Sequence, residues 1–296
     1  MRTSLIIPAY NEEKGLPLVI EECQGNVDEI VVIDDGSSDG TYEVAKKYNV
    51  RVFKHEKNKG KVAAIRTGID NANGDIIILI DADYTYPAKY IPEFISRIEK
   101  GADLVIGSRF INGINNMPLL NIIGNKIFST ITTYISCINI TDGQSGYRAF
   151  KKDIFDKIDV NARSLEYETK MTLRAAKLGY KIVEIPIEYR ERIGSSKLRP
   201  IRDGYKMIKG LISISWSEIT FITKIIMSLS ILFIIIGLSF GMISIYEKIK
   251  FGILSNAYYP LITTLFILVA IQLISFGLIL DFLMKKLDRI EELIRK

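Results

Sequence analysis

Two carboxylates lie one residue apart after an apolar run in the first third of the chain. The segment IILIDADYTYP (Ile77–Pro87) places Asp81 and Asp83 directly after the aliphatic residues 76–80. Such a run is typical of a strand covered on both faces of a parallel sheet, and ligands bind beyond the carboxyl ends of those strands. Two hard oxygen ligands at that edge suit Mg²⁺ or Mn²⁺. A solvated turn is the alternative, because aspartate also favours turns.

A second acidic pair follows another apolar run. Asp34 and Asp35 end the segment EIVVIDD (Glu29–Asp35), so acids come directly after two predicted strands. This coincidence favours a ligand site over two unrelated turns. The phosphate-binding fingerprints G-x-G-x-x-G and G-x-x-x-x-G-K-[ST] are absent from the sequence, which argues against an ordinary dinucleotide dehydrogenase or P-loop ATPase.

Strand and helix patterns alternate along the part of the chain that carries these acids. This rhythm predicts an α/β fold with a mostly parallel sheet and helices on both faces. Strands are predicted at Ser4–Pro8, Glu29–Asp35, Val50–Phe53, Ile76–Ile80 and Leu104–Gly107, with helices at Glu12–Cys23, Thr41–Tyr48, Val62–Ala72 and Lys89–Lys100.

The hydrophobic residues, 48% of the 296, are concentrated towards the C-terminus. Ile219–Tyr246 contains Lys224 as its only charged residue, and Tyr258–Leu280 contains none. Each segment reaches the ~20 apolar residues that a membrane helix requires. The sequence therefore predicts two transmembrane helices, at about 219–246 and 258–282; a buried hairpin in a large core is the alternative.

Basic residues flank the two predicted spans on one side. By the positive-inside rule they place the N-terminal part in the cytoplasm. Together with the two spans, they predict an integral protein of the cell membrane with a cytoplasmic catalytic domain. The few, distant cysteines Cys23 and Cys137 fit a reducing compartment. The net charge of +5 is modest, so these basic residues indicate a membrane surface rather than a nucleic-acid site. They are Arg199, Arg202, Lys206, Lys209 and Lys224 before the first span and Lys285, Lys286, Arg289, Arg295 and Lys296 after the second.

The segment before the first span has the pattern of an interfacial helix. Ile201, Tyr205, Ile208 and Leu211 recur at helical spacing, with basic residues on the more polar side. The predicted organisation is a cytoplasmic catalytic domain over 1–200, a juxtamembrane amphipathic interfacial helix region over 201–218, and a membrane domain with a basic cytoplasmic tail over 219–296.

Eight segments in collinear order resemble the family-2 glycosyltransferases of the GT-A fold. The later segments narrow the resemblance to the polyprenyl-phosphate glycosyltransferases, the group of dolichol-phosphate mannose and glucose synthases. The segments are IIPAYNEE (Ile6–Glu13), VVIDDGSSDGT (Val31–Thr41), NKGKVAAIRTGI (Asn58–Ile69), DADYTYP (Asp81–Pro87), VIGSRF (Val105–Phe110), TDGQSGYRAF (Thr141–Phe150), LEYE (Leu165–Glu168) and RERIGSSKL (Arg190–Leu198).

The resemblance implies a site for a nucleotide sugar. Asp35 would accept a hydrogen bond from a ring N–H of the nucleobase. Asp81 and Asp83 would hold Mg²⁺ or Mn²⁺ bridging the donor's diphosphate, where the ion neutralises the charge of the leaving group. Asp81 also belongs to the implied nucleotide-sugar site, whose other members are Pro8, Tyr10, Glu12 and Lys61.

The resemblance also implies a polyprenyl monophosphate as acceptor. Such a phosphate is largely ionised near neutral pH, since its second pKa is about 6, so it needs positioning by cations more than a strong base. Asp142 would face the sugar and the diphosphate, or form a structural turn; with Asp81, Asp83 and Arg109 it is the implied catalytic set. Glu166 and Glu168 would bind sugar hydroxyls or cap the helix that follows. The implied acceptor-phosphate residues are Arg109, Asn125, Lys126, Arg148, Arg192, Ser196 and Lys197.

Three positions depart from the pattern or stand outside it. Thr85 occupies the place where mannose synthases of this group often carry a glutamine metal ligand, and Asn121 the place of a usual acceptor arginine. His55, the only histidine, lies in the charged stretch KHEKNKGK, and we interpret it as an exposed loop residue without a catalytic role.

The implied reaction is inverting, metal-dependent transfer of a hexose from GDP-mannose or UDP-glucose type donors to dolichyl phosphate. The segment Arg190–Leu211 is predicted to close over the lipid phosphate, a passive linker being the alternative. A homo-oligomer through the transmembrane helices is compatible with the sequence. Two other functions stay open: a membrane glycosyltransferase acting on a glycan or protein hydroxyl, and a non-enzymatic nucleotide-sugar-binding membrane subunit. The sequence leaves the sugar undetermined.

Overall fold

The computed structural model describes residues 1–113, 117–158, 167–194, 209, 216, 219–253 and 256–295. The chain forms two compact units, Met1–Ile212 and Ser213–Lys296. The predicted interfacial region 201–218 lies outside the described residues, apart from Lys209 and Trp216.

A seven-stranded sheet forms the centre of the first unit, in the order β3-β2-β1-β4-β6-β5-β7. The strand β6 runs antiparallel to its neighbours β4 and β5, and the other pairs are parallel. The structure confirms the mostly parallel α/β sheet and adds β6 and β7. The strands are β1 (Thr3–Ala9), β2 (Glu29–Asp34), β3 (Arg51–Lys54), β4 (Ile76–Leu79), β5 (Leu104–Ser108), β6 (Arg148–Lys151) and β7 (Ile182–Pro186).

Helices connect most of these strands. The first begins later than its sequence pattern predicts, because the backbone N–H of Glu12 donates to Thr41 Oγ1 and residues before Leu16 are thereby tied to the turn after β2. The helices are α1 (Leu16–Cys23), α2 (Thr41–Ala45), α3 (Lys61–Asn71), α4 (Ile91–Glu99), α5 (Leu119–Ser136), α6 (Phe155–Ile158) and α7 (Tyr167–Lys177), with 3₁₀ turns at Ala88–Tyr90 and Lys152–Ile154.

Both faces of the sheet are covered by apolar side chains. Leu5 and Ile7 of β1 pack in one cluster with Leu16 of α1, while Ile6 packs in the other with Ile65 of α3. All five are buried. Neighbouring residues of one strand therefore face different hydrophobic layers, which explains why β1 and β4 are continuous apolar runs in the sequence.

The order of the strands brings the two acidic pairs to one edge of the sheet. The central strand β1 pairs with β2 on one side and with β4 on the other, all parallel. The carboxyl ends of these strands carry Asp34 as the last residue of β2, Asp35 directly after it, and Asp81 and Asp83 after β4. This edge is where open α/β sheets bind ligands.

The second unit contains two helices, α8 (Phe221–Phe251) and α9 (Tyr258–Arg295), that are long and apolar enough to cross a membrane. A glycine of each lies against the partner helix: a Cβ on Gly237 would be 3.1 Å from Phe266 Cβ, and one on Gly277 would be 3.2 Å from Ile226 Cγ2. Small residues at such contacts let apolar helices approach closely. The helices run beyond the predicted spans at their C-terminal ends.

Candidate functional site

The acid pair after β4 is held in a defined orientation. Asp83 Oδ1 accepts hydrogen bonds from the Thr85 hydroxyl, 2.6 Å, and from the Thr85 backbone N–H, 3.2 Å. The residue between them, Tyr84, has a left-handed backbone with φ of 66°. Thr85 is buried, and its two hydrogen bonds to Oδ1 fix the orientation of the Asp83 carboxylate. Ligation of a metal by Thr85 itself stays a prediction.

Each acid of the pair contacts a cation of the chain. Lys61 Nζ lies 2.7 Å from Asp81 Oδ1 and 3.2 Å from Glu168 Oε1. Arg192 Nη1 lies 3.0 Å from Asp83 Oδ2, and its Nη2 contacts the Glu12 carboxylate. Burial acts to lower the pKa of Lys61, but the charges of Asp81 and Glu168 outweigh it and raise that pKa above its ordinary value. The site therefore collects negative charge and attracts cations.

The residues present fit a divalent cation that takes some of its ligands from the protein and the others from a substrate and water. No group of three or more His, Cys, Asp or Glu side chains among the described residues forms a ready metal site. Mg²⁺, however, is usually held by one or two carboxylates together with substrate phosphates and water. Asp81 and Asp83 supply these two carboxylates. The backbone of Gly146 lies close beside them, since a Cβ there would be 2.8 Å from Asp81 Oδ2 and 3.1 Å from Lys61 Nζ.

We predict that Arg192→Gln raises the affinity of the nucleotide-free protein for Mn²⁺ by about tenfold. Arg192 competes for Asp83, and a charge-assisted hydrogen bond contributes about 1.5–3 kcal/mol. Electron paramagnetic resonance titration of free Mn²⁺ measures the change. The control is Arg190→Gln, since Arg190 binds Glu22 through Nη1 at 2.7 Å and should leave the affinity unchanged. Equal or weaker Mn²⁺ binding by Arg192→Gln would contradict the prediction.

Asp35 lies at the end of β2 in a cage of hydrogen-bond donors. Its Oδ1 accepts from the Lys59 backbone N–H at 2.9 Å, and its Oδ2 accepts from the Gly60 backbone N–H at 2.8 Å. His55 Nδ1 lies 2.7 Å from the same Oδ1. Asp35 and His55 are both buried.

The interpretation of His55 as an exposed loop residue is wrong. The ring is 6% exposed, and it bridges Asp35 to Thr67 of α3, whose Oγ1 lies 3.0 Å from Nε2. The charged residues around it in the sequence face solvent, whereas β3 ends beside β2 and turns this one ring inward. The register of the two strands explains the contact: Asp34 pairs with Lys54, so the next residues along each strand are Asp35 and His55.

The other members of the implied nucleotide-sugar site follow β1 and precede α1. Pro8 is half-buried, Tyr10 is exposed and Glu12 is buried. Glu12 contacts Arg192, which also reaches Asp83. Arg192 thus links the residues after β1 to the acid pair after β4.

Arg109 and Asp142 form a buried pair beyond β5. Arg109 Nε lies 2.7 Å from Asp142 Oδ2 and Nη2 lies 2.8 Å from Oδ1, a bidentate arrangement. Burial lowers the pKa of Arg109, but the charged forms of Tyr86 and Asp142 outweigh it and raise that pKa. Glu184 of β7 accepts the backbone N–H groups of Thr141 and Asp142, both within 2.9 Å, and so fixes the loop. Sequence reasoning missed Glu184.

Arg148 has a different position from the one its motif implied. The residue is 1% exposed, and its guanidinium donates to the backbone carbonyls of Ser145, Gly143 and Glu168 and to Thr172 Oγ1. Burial lowers its pKa. Because β6 is an interior strand, Arg148 points into the fold and organises the loop before it. A direct contact of Arg148 with an acceptor phosphate is therefore corrected to a structural role.

The remaining implied acceptor residues divide between a helix and segments outside the described residues. Asn125 is half-buried and Lys126 is exposed, both on α5. Ser196 and Lys197 lie outside the described residues, as do Glu166 and the segment predicted to close over the phosphate beyond Gly194.

The sequence that builds this site matches a known family. Residues 4–159 match the family model described as glycosyl transferase family 2. The chain belongs to this family. It is therefore a glycosyltransferase, an enzyme that transfers sugars.

Two curated relatives illustrate the range within this glycosyltransferase family. The chain is 31% identical over 218 residues to the dolichyl-phosphate hexose transferase of Haloferax volcanii, covering 73% of this chain and 94% of that protein. It is 36% identical over 210 residues to the UDP-N-acetylglucosamine–dolichyl-phosphate N-acetylglucosaminyltransferase of Methanococcus voltae, covering 62% and 84%.

Solved structures share the fold of this glycosyltransferase. The glucosyl-3-phosphoglycerate synthase of Mycobacterium tuberculosis, crystallised with Mn²⁺, uridine diphosphate and phosphoglyceric acid, matches with a TM-score of 0.58 and 22% identity. The match covers 73% of this chain and 78% of that one. It establishes the GT-A fold of the first unit.

Proposed function

We propose that this glycosyltransferase moves a hexose, with inversion and with a divalent cation, from a nucleoside diphosphate sugar to a polyprenyl (dolichyl) phosphate in the membrane. The observation that carries the proposal is the pair of carboxylates Asp81 and Asp83, in a chain with two helices long enough to cross a membrane. Asp81 is paired with the side chain of Lys61, and Asp83 with that of Arg192. Relatives named for transfer to dolichyl phosphate support the acceptor.

The donor would bind along the carboxyl edge of β1, β2 and β4. Asp35 would take the nucleobase, Pro8, Tyr10 and Glu12 would flank the base and ribose, and Asp81 with Asp83 would hold Mg²⁺ or Mn²⁺ against the diphosphate. The ion would supply Lewis-acid stabilisation of the leaving diphosphate. The Mycobacterium tuberculosis synthase, crystallised with Mn²⁺ and with Mg²⁺ beside uridine diphosphate, supports this choice of cations.

The chemical step needs little proton transfer. An ionised oxygen of the lipid phosphate bonds to the anomeric carbon as the bond from that carbon to the diphosphate oxygen breaks, and the nucleoside diphosphate leaves with the electron pair. A direct displacement of this kind inverts the anomeric centre. Since the attacking phosphate is ionised near neutral pH, the protein has to position two anions, the lipid phosphate and the diphosphate of the donor. Arginine and lysine side chains suit this role.

Two arginines carry N–H groups that are available for this positioning. Arg109 uses Nε and one Nη2–H on Asp142, so that among the described residues its Nη1 hydrogens are left for another anion. Arg192 Nε is buried without a hydrogen-bond partner in the described part of the chain, so one of its N–H groups also remains. Both residues suit a phosphate that approaches the acid pair.

The helix α5 supports a lipid acceptor. Its N-terminal half exposes large apolar side chains, with Leu119 70% and Leu120 79% exposed and Ile123 and Ile127 at helical spacing after them. The exposed Lys126 accompanies this apolar face. Apolar and basic residues together on one helix are typical of a membrane interface. By the positive-inside rule, we place the catalytic unit on the cytoplasmic side.

A donor panel tests the proposal. Full-length protein in detergent receives a short polyprenyl phosphate, Mn²⁺ and, in turn, GDP-mannose, UDP-glucose or UDP-N-acetylglucosamine, and the lipid is analysed by mass spectrometry. We expect one donor to give a lipid phosphodiester and EDTA to abolish it. Transfer only to a glycan or protein hydroxyl, or turnover unaffected by EDTA, would overturn the acceptor or the metal respectively.

A further inference from the structure

We propose that His55 restricts Asp35 to a single hydrogen bond from the nucleobase, and that this selects uracil, and hence a UDP-sugar, over guanine. The inference rests on the proposed function, which places the base at Asp35. It names the nucleotide class that the sequence leaves undetermined.

The restriction follows from the number of acceptor positions on a carboxylate. An ionised carboxylate has two oxygens and about four lone-pair positions. Three are filled here: Oδ1 receives His55 Nδ1 at 2.7 Å and the Lys59 N–H at 2.9 Å, and Oδ2 receives the Gly60 N–H at 2.8 Å. One position, on Oδ2, remains.

The proton on His55 Nδ1 is determined by its partners. An ionised carboxylate accepts only, so the nitrogen that faces Asp35 must carry hydrogen. In the neutral ring, Nε2 then accepts from the Thr67 hydroxyl at 3.0 Å; in the protonated ring, Nε2 donates to it. Both forms keep Nδ1–H on Asp35 Oδ1, so the restriction holds in either state.

The loop that supplies the other two donors has little freedom to withdraw. A Cβ on Gly36, which follows Asp35 with φ of +71°, would lie 2.6 Å from the Lys57 carbonyl carbon and 2.7 Å from the Asn58 nitrogen. The loop backbone therefore packs directly on the turn after β2. The His55 backbone N–H also donates to the Asp34 carbonyl at 2.9 Å, which anchors the start of the loop.

The two bases differ in how many donors they present to such a group. Guanine presents N1–H and the N2 amino group side by side, spaced to match both oxygens of one carboxylate. Uracil presents a single N–H between two carbonyls. With Oδ1 filled, guanine would leave one donor without its acceptor, and an unpaired polar group at a buried site lowers affinity. Cytosine has an unprotonated nitrogen where uracil has its N–H. That nitrogen and the Asp35 carboxylate are both acceptors, so no hydrogen bond would form between them.

Calorimetric titration of UDP, GDP and CDP into the full-length protein, with saturating Mn²⁺, tests the selection. We expect UDP to bind at least about tenfold more tightly than GDP and CDP. In His55→Ala, Oδ1 gains a vacant acceptor position, and the UDP-to-GDP affinity ratio should fall by about tenfold. In His55→Asn, the amide nitrogen can take the place of Nδ1, so the ratio should stay near that of the native protein.

The outcomes separate this inference from the function on which it rests. If none of the three nucleotides binds, the proposed function fails. If they bind but GDP equals or exceeds UDP in the native protein, or His55→Ala keeps the native ratio, the inference is overturned while the function stands. Melting temperatures of both variants establish that each is folded, and the ratio of two affinities on one protein sample is insensitive to a loss of active fraction.

Discussion

Asp83→Asn is expected to reduce sugar transfer by at least about a hundredfold while the fold stays intact. The amide keeps an oxygen that can accept from Thr85, whose hydroxyl lies 2.6 Å from Asp83 Oδ1, so the local shape is preserved. What is lost is one of the two negative charges proposed to hold the cation against the leaving diphosphate. Removing electrostatic stabilisation of a developing charge typically lowers turnover by about 10²–10³-fold.

Two control variants define this result. Asp81→Asn should also impair transfer, because Asp81 is the second carboxylate of the pair. Asp70→Asn changes an exposed aspartate of α3 and should leave the rate unchanged. Initial rates with saturating donor and lipid, together with melting temperatures, provide the comparison. An Asp83→Asn protein that keeps the native rate, or a native rate that is equal in EDTA and in Mn²⁺, would remove the acid pair from the mechanism.

Asp142→Ala is expected to destabilise the first unit by about 3–5 kcal/mol, because it leaves the guanidinium of Arg109 buried without its partner. Arg109 is 8% exposed, and both its Nε and its Nη2 bind the Asp142 carboxylate. The same carboxylate accepts the Arg109 backbone N–H at 3.0 Å. Hydrogen exchange on the full-length protein should therefore show faster exchange of that amide and of its neighbours after β5.

The double variant Arg109→Met with Asp142→Leu separates stability from activity. Replacing both members of a buried ion pair by apolar residues of similar volume is often neutral for stability. We expect the double variant to recover the melting temperature of the native protein, while the backbone amide of residue 109, which has no acceptor in leucine, stays unprotected. The variant should nevertheless remain inactive, because the phosphate of the acceptor loses a cation. If Asp142→Ala leaves both exchange and melting temperature unchanged, the pair does not stabilise the loop; if the double variant transfers sugar, Arg109 does not bind the acceptor.

The sequence predicted those features that depend on neighbouring residues in the chain. The apolar run before Asp81 predicted β4 and placed the acid pair at its carboxyl end, because a strand covered on both faces is visible in a few residues. The two spans were likewise visible in length and composition, although their helices extend further. The start of α1 was predicted too early, because the residues before it are held by Thr41, which lies far along the chain.

Features that depend on tertiary pairing were missed. His55 appears solvated within a charged stretch, and only the register of β2 and β3 brings it onto Asp35. Arg148 appears to be a free phosphate ligand, and only the antiparallel insertion of β6 between β4 and β5 buries it. The charge of the surrounding sequence indicated exposure for His55, and the motif indicated a phosphate contact for Arg148, whereas in both cases the sheet determined burial.

The central claim is that the lipid phosphate itself attacks the sugar. It is tested most directly with a short polyprenyl phosphate whose non-bridging phosphate oxygens carry ¹⁸O, incubated with full-length protein, Mn²⁺ and the active donor. Mass spectrometry of both products should find all of the label in a sugar phosphodiester of the lipid and none in the released nucleoside diphosphate. A sugar product that carries no label, or no lipid product with any donor, would contradict the account.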